Sequence, residues 1–137
     1  MHLIEVKRTD SSNLDFIKLI VLLDIELGAN YLEEYDFYHQ FNQIDSIKNV
    51  IVVYQNEEAV GCGAIKKYDE NTMEVKRMFT LPESRGKGIA SIVLGELEKW
   101  ATELLFENCI LETGIKQHAA IALYKKRGYS IIPNYGQ

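Results

Sequence analysis

Arg85-Gly86-Lys87-Gly88-Ile89-Ala90 lies between two runs of different periodicity. Upstream, Met73 to Leu81 reads as a β-strand and Pro82 closes it. Downstream, Ile89 to Phe106 carries Ile89, Val93, Leu97, Trp100 and Leu104 on one helical stripe. A turn from strand into helix leaves the first helical amides without an intrahelical acceptor. Those amides point along the positive end of the helix dipole and suit a phosphate or pyrophosphate. Two glycines around a lysine cost the helix start about 1 kcal/mol each in propensity. Two readings of that cost stand side by side: a helix start that happens to contain glycine, or a backbone kept bare for a ligand. The dinucleotide fingerprint G-x-G-x-x-G fails at Ser91, and the P-loop pattern is absent.

Working outward, Asn49 to Tyr54, Ala59 to Lys67 and Thr72 to Leu81 are strand-like runs. The polar turns Gln55-Asn56-Glu57-Glu58 and Tyr68 to Asn71 join them, which predicts an antiparallel meander. Before the meander, His2 to Lys7 reads as a strand. Ser12-Asn13-Leu14-Asp15 resembles a capping box, with Asp where Glu or Gln is usual. It opens a helix from Asn13 to about Leu27, which Gly28 ends. Asn30 to Ile44, rich in Tyr, Phe and Glu, reads as a second helix plus a loop. After the glycine turn and its helix come a strand at Cys109 to Glu112, a helix at Gln117 to Arg127 closed by Gly128, and a last strand at Tyr129 to Ile132. The order is β-α-α-β-β-β-α-β-α-β. Its strand–helix–strand half needs a parallel crossover. The expected fold class is therefore α/β, a mixed sheet with helices on both faces, in one domain spanning residues 1–137.

Composition agrees with one globular domain: 137 residues, 47% apolar and 26% charged. A net charge of −5, from 15 basic and 20 acidic residues, argues against nucleic acid as a main partner. Arg85 and Lys87 still form a local basic cluster for a small anion. Cys62 and Cys109 lie in apolar strand-like runs without CxxC or Cys/His ligand spacing, so neither a metal site nor a disulfide is expected. The N-terminus lacks a signal-peptide core, and the longest apolar run, Leu19 to Leu23, is too short to span a bilayer. A cytoplasmic protein without a membrane partner is the expectation.

The stretch Met78 to Ala90 resembles the fourth strand, proline turn and Q/R-x-x-G-x-G/A loop of the GNAT superfamily of N-acetyltransferases. Leu111-Glu112-Thr113-Gly114, Gln117, and the run Ala120 to Tyr129 resemble that family's fifth strand and closing helix. The resemblance implies acetyl-CoA as co-substrate, with no metal. It implies that the backbone of Arg85, Gly86, Lys87, Gly88, Ile89 and Ala90 holds the CoA pyrophosphate. Met78, Phe79 and Thr80 would line the pantetheine through main-chain hydrogen bonds. Gln117 stands where many relatives have an Asn that touches the cofactor. Tyr124 matches the tyrosine that faces the thioester sulfur, and a phenol of pKa near 10 can protonate a departing thiolate.

An amine acceptor is mostly protonated at neutral pH, so a base is useful. Glu74 resembles a strand-four glutamate that serves some relatives as base. It lies about 15 Å along an extended strand from Phe79 and would act through water. Glu112 is the runner-up. His2, His39 and His118 show no ligand spacing. The acidic and aromatic cluster Tyr31, Glu33, Glu34, Tyr35, Phe37 and Tyr38 falls where relatives cover their substrate. Relatives usually carry a seventh strand, which is expected to be short or absent here. The open edge is expected either to pair in a homodimer or to end in a shortened terminus. The expected function is transfer of an acetyl group to a small amine or peptide amine. A CoA-binding sensor or interaction module is the alternative.

Overall fold

Val50, Ile51, Val52 and Val53 are all fully buried, without the in–out alternation of a half-exposed strand. They belong to β2 (Asn49–Gln55), which is covered on both faces. The computed structural model describes residues 3–28, 46–114 and 117–133. Its other elements are β1 (Ile4–Thr9), α1 (Leu14–Glu26), β3 (Glu58–Lys67), β4 (Thr72–Thr80), a 3-10 turn (Pro82–Ser84), α2 (Ile89–Glu103), β5 (Asn108–Ile110) and α3 (His118–Lys126). The sheet order is β1-β2-β3-β4-β5. Its first four strands are antiparallel, as the short turns between the meander strands require. β5 joins parallel after the α2 crossover, through Thr72 opposite Asn108, Met73 opposite Cys109 and Glu74 opposite Ile110. The mixed sheet and its helix on each face agree with the expected fold class.

Two glycines set the distance of α2 from the sheet. A Cβ at Gly63 would lie 2.6 Å from the Met78 sulfur and 2.7 Å from Val93 Cγ1. One at Gly61 would lie 2.6 Å from Ile89 Cγ2. The helix therefore rests on β3 backbone, with Val93, Leu94 and Leu97 fully buried. On the other face α1 buries Phe16, Leu19 and Ile20. Arg8 of β1 fastens the sheet's first edge to α2: its guanidinium binds Glu103 at 2.7 Å and Glu96 at 2.9 Å and lies 4.7 Å from the Trp100 ring centre.

Three expectations change. Asn13, not Ser12, caps α1, accepting the Phe16 amide at 2.9 Å; Ser12 instead donates to Asp10. The strand expected at Tyr129 to Ile132 does not form, because α3 ends in a cap that draws the chain back. Gly128 takes φ +94° and the Tyr129 amide bonds the Tyr124 carbonyl at 2.9 Å. Beyond it, Ile131 is 85% exposed. β5 is also shorter than expected, ending at Ile110 rather than Glu112. The helix expected within Asn30 to Ile44, with Tyr31, Glu33, Glu34, Tyr35, Phe37, Tyr38 and His39, lies outside the described residues, as does His2. Among the described residues no helix is long and apolar enough to cross a membrane.

Gly63→Ala forces a methyl into three side chains at once and is expected to cost about 1–3 kcal/mol in urea unfolding. Tyr54 ties β2 to α1 by donating to Asp15 at 2.7 Å. Burial first, then that bond, pushes its phenol from 10.0 up to about 12. The unfolded phenol ionises near pH 10, so the contribution is complete below pH 10 and lost as pH rises toward 12. In Tyr54→Phe, stability measured across that window falls less steeply.

Candidate active site

The period of two in β4 breaks at Arg77. Met73 and Val75 are buried, and Glu74 and Lys76 share the opposite face. The register with β3 then shifts, Lys76 standing opposite Ala64 but Phe79 opposite Cys62. Arg77 absorbs the extra residue at φ +59°, a left-handed conformation that costs a non-glycine residue about 1–2 kcal/mol. Two contacts hold it there. Arg77 Nη1 binds Asp24 of α1 at 3.3 Å, and the Cys62 thiol donates to the Arg77 carbonyl at 3.4 Å. Met78 then turns its sulfur into the space above Gly63.

On its other edge β4 forks away from β5. The parallel ladder ends at Glu74 opposite Ile110, and from Val75 onward β4 has no partner on that side among the described residues. Met78, Phe79 and Thr80 stand along this open fork. Their side chains turn into the protein, with Phe79 and Thr80 buried, so what they can offer a ligand is backbone. The Thr80 carbonyl is already taken, accepting Arg85 Nε at 2.9 Å.

Beyond the fork the 3-10 turn delivers the chain to the glycine loop. Gly86 and Gly88 take φ +78° and +84°, and a Cβ at either would meet nothing within 4 Å. Left-handed backbone, rather than crowding by protein atoms, is what asks for glycine here. The Arg85 amide is occupied by the Pro82 carbonyl at 3.3 Å. Ile92 is the first amide in the helical ladder, on the Gly88 carbonyl at 3.1 Å. Amides of residues 86–91 make no backbone bond to a described residue. They form the open, N–H-lined cradle that an anionic group requires, so the loop fits a pyrophosphate.

The basic cluster divides on inspection. Arg85 does not reach into the cradle: Nη2 binds Glu26 of α1 at 2.6 Å and the guanidinium lies 5.6 Å from the Phe79 ring centre. Lys87 is exposed on the loop. Glu74 is the last paired residue before the fork, with a side chain 19% exposed and Oε1 3.9 Å from Lys76 Nζ. Glu112 lies past the end of β5 and is exposed. Gln117 caps α3 from outside it, and its Oε1 accepts the Thr113 hydroxyl at 3.2 Å.

Tyr124 is half-buried on α3, its ring 5.9 Å from that of Tyr129. Burial raises its phenol above 10.0. It lines a cavity of about 850 Å³ with Ile110, Cys109 and Tyr129, which includes neither Met78, Phe79, Thr80 nor the glycine loop. The fork and the loop thus come together on β4, and the cavity that Tyr124 lines reaches Thr72 at the start of the same strand. Both cysteines are free; burial pushes Cys62 up to about 12 and raises Cys109 as well.

Arg77, Asp24 and Glu26 border the fork and loop and have no place in the reading of the sequence, which weighed Cys62 only as a metal ligand or disulfide partner. One signal for Arg77 was present: Lys76-Arg77-Met78-Phe79 sets two charged residues before two apolar ones and breaks the strand's alternation. Gly88→Ala should cost about 1 kcal/mol in thermal unfolding, because it meets only left-handed strain and no clash.

Comparison with known proteins identifies the family. The acetyltransferase (GNAT) family pattern matches residues 17–129. An IAA acetyltransferase from Azospirillum brasilense is 34% identical over 116 residues, 83% of this chain and 76% of that protein. The chain spans about half the length of several other curated N-acetyltransferases it matches. A crystal structure described as an acyl-CoA N-acyltransferase from Klebsiella pneumoniae superposes with a TM-score of 0.81 at 31% identity, covering 97% of this chain and 87% of that one. The fold is shared at 17% identity with a Clostridium acetobutylicum protein solved with acetyl-CoA, at a TM-score of 0.73 over 98% of this chain and 95% of that one. With the pattern covering most of the chain and both a curated relative and a solved structure above 30% identity, this protein belongs to the GNAT family of acetyltransferases and is an acyltransferase.

Proposed function

We propose that this chain transfers the acetyl group of acetyl-CoA to a primary amine by direct attack in a ternary complex. The observation that carries the reading is the continuity of the β4–β5 fork with the glycine loop. Backbone groups of Met78 and Phe79 line the fork, and the amides of residues 86–91 lie at its end. A long ligand with an anionic end and a thin polar arm suits that path. The loop would hold the pyrophosphate and the fork the pantetheine, and the exposed Lys87 would add charge at the anionic end. Gln117 would meet the arm from the start of α3 after giving up its bond to Thr113.

When bound, acetyl-CoA supplies a thioester carbon to the amine and leaves as a thiolate. Glu74, at the root of the fork, would take the amine's proton through water. Tyr124 would give its phenol proton to the sulfur. Raised above 10.0 by burial, that phenol keeps its proton at neutral pH, as an acid must. Cys62 is a poor nucleophile for an acyl-enzyme, being buried, pushed up to about 12 and bonded to the Arg77 carbonyl. Its state supports direct transfer. The acceptor class is an amine on a small molecule or a peptide.

The sensor alternative draws support from one feature, the position of Tyr124 on the cavity beside Tyr129 rather than on the loop. Tyr124→Phe separates the two readings. In an enzyme, kcat with acetyl-CoA and an amine panel falls about 100-fold while acetyl-CoA affinity stays within about twofold. No thiol release with any amine despite CoA binding contradicts the enzyme reading, and an unchanged kcat contradicts the acid role of Tyr124. Glu74→Gln should lower kcat mainly below pH 8, where the amine is protonated, and much less above pH 9.

A further inference from the structure

Asp24 and Glu26 sit in the last turn of α1, two positions apart, and so point to different sides of the helix. Each holds its own arginine. Asp24 Oδ1 accepts from Arg77 at 3.3 Å, where the two side chains are 18% and 24% exposed. Glu26 Oε1 accepts from Arg85 at 2.6 Å, and Arg85 also donates to the Thr80 carbonyl at 2.9 Å. Arg77 is the left-handed residue of the β4 bulge, and Arg85 opens the glycine loop. In a chain of net charge −5, one arginine at the bulge and one at the loop entry are thus paired with acids of the same helix, the second pair at the surface. Their positions give the reason: one pins the bulge that precedes Met78 and Phe79, the other pins the entry to Gly86.

We propose that Asp24 and Glu26 are positioning residues, Asp24 setting the β4 bulge through Arg77 and Glu26 setting the glycine loop through Arg85. The proposal rests on the reading of the fork and loop as the acetyl-CoA path. The two grips act at opposite ends of that path. Asp24 governs the strand amides nearest the thioester, and Glu26 governs the pyrophosphate end. Cys62 supports the first grip by donating to the carbonyl of the same Arg77. Each acid is bonded to an arginine of the path, and the effect proposed for it is the one that passes through that arginine.

Calorimetric titration of wild type, Asp24→Asn and Glu26→Gln with acetyl-CoA and with CoA separates the two roles. Asp24→Asn should weaken acetyl-CoA about fivefold more than CoA, the scale of one partly exposed ion pair. Glu26→Gln should weaken both ligands by the same factor. Asp24→Glu should recover most of the loss, and Asp24→Asn should add nothing in an Arg77→Gln background. Hydrogen exchange without ligand gives the second readout: Asp24→Asn speeds the amides bonded between β3 and β4 on either side of the bulge, Glu26→Gln the Arg85 amide that bonds the Pro82 carbonyl. If Asp24→Asn does not fold, Arg77→Gln carries the same expectations. Equal weakening of both ligands by Asp24→Asn, or exchange that fails to divide between the two variants, overturns the proposal. A wild type that binds neither ligand overturns the acetyl-CoA reading, while exchange still judges the two grips.

Discussion

Helix α2 lies on the bare backbone of β3 because Gly61 and Gly63 present no side chain there. That close approach fixes the height of Ile89 and Val93 above the sheet. The loop just before Ile89 is fixed with them. A larger residue at either glycine would lift the helix, and the cradle of amides would no longer meet the end of β4. The same space receives the Met78 sulfur, so the packing that seats α2 also seats the residue after the bulge. One steric constraint therefore serves the core, the bulge and the loop together.

Strand β4 differs on its two edges, and each irregularity has a chemical use. Toward β3 it carries the strained Arg77, held by an acid and a thiol. Toward β5 it stops pairing after Glu74 and leaves backbone groups for a ligand. A regular strand would satisfy its own amides and offer nothing. The local strain and the lost ladder bonds are offset by the core under them, where Val50 to Val53 and Val93, Leu94 and Leu97 are fully buried.

Much of this was legible in the sequence because it is local. Alternating runs with polar turns disclosed the meander, and the stripe from Ile89 to Leu104 disclosed the long helix. Glycine between strand and helix disclosed the cradle. Contacts between distant segments left no such trace: Asp24 with Arg77 and Glu26 with Arg85 join residues 53 and 59 positions apart. The Arg85 side chain, part of the basic cluster in the sequence, is bonded to Glu26 and the Thr80 carbonyl. The strand expected after Gly128 failed for a related reason, since β-branched residues such as Ile131 and Ile132 report propensity while a strand also needs an edge to join. Tyr124 is the instructive case of a motif residue whose neighbours in the fold, Tyr129 and Cys109, are set by tertiary packing.

The central claim is that acetyl-CoA lies along the β4–β5 fork with its pyrophosphate on the glycine loop. Titrating acetyl-CoA into isotope-labelled protein and following the backbone amide resonances tests it directly. Saturable shifts at Met78, Phe79 and residues 86–90, with Cys109 and Ser130 much less affected, are the predicted result. Shifts centred on Cys109, Tyr129 and Ser130, with the loop amides unmoved, would contradict the account.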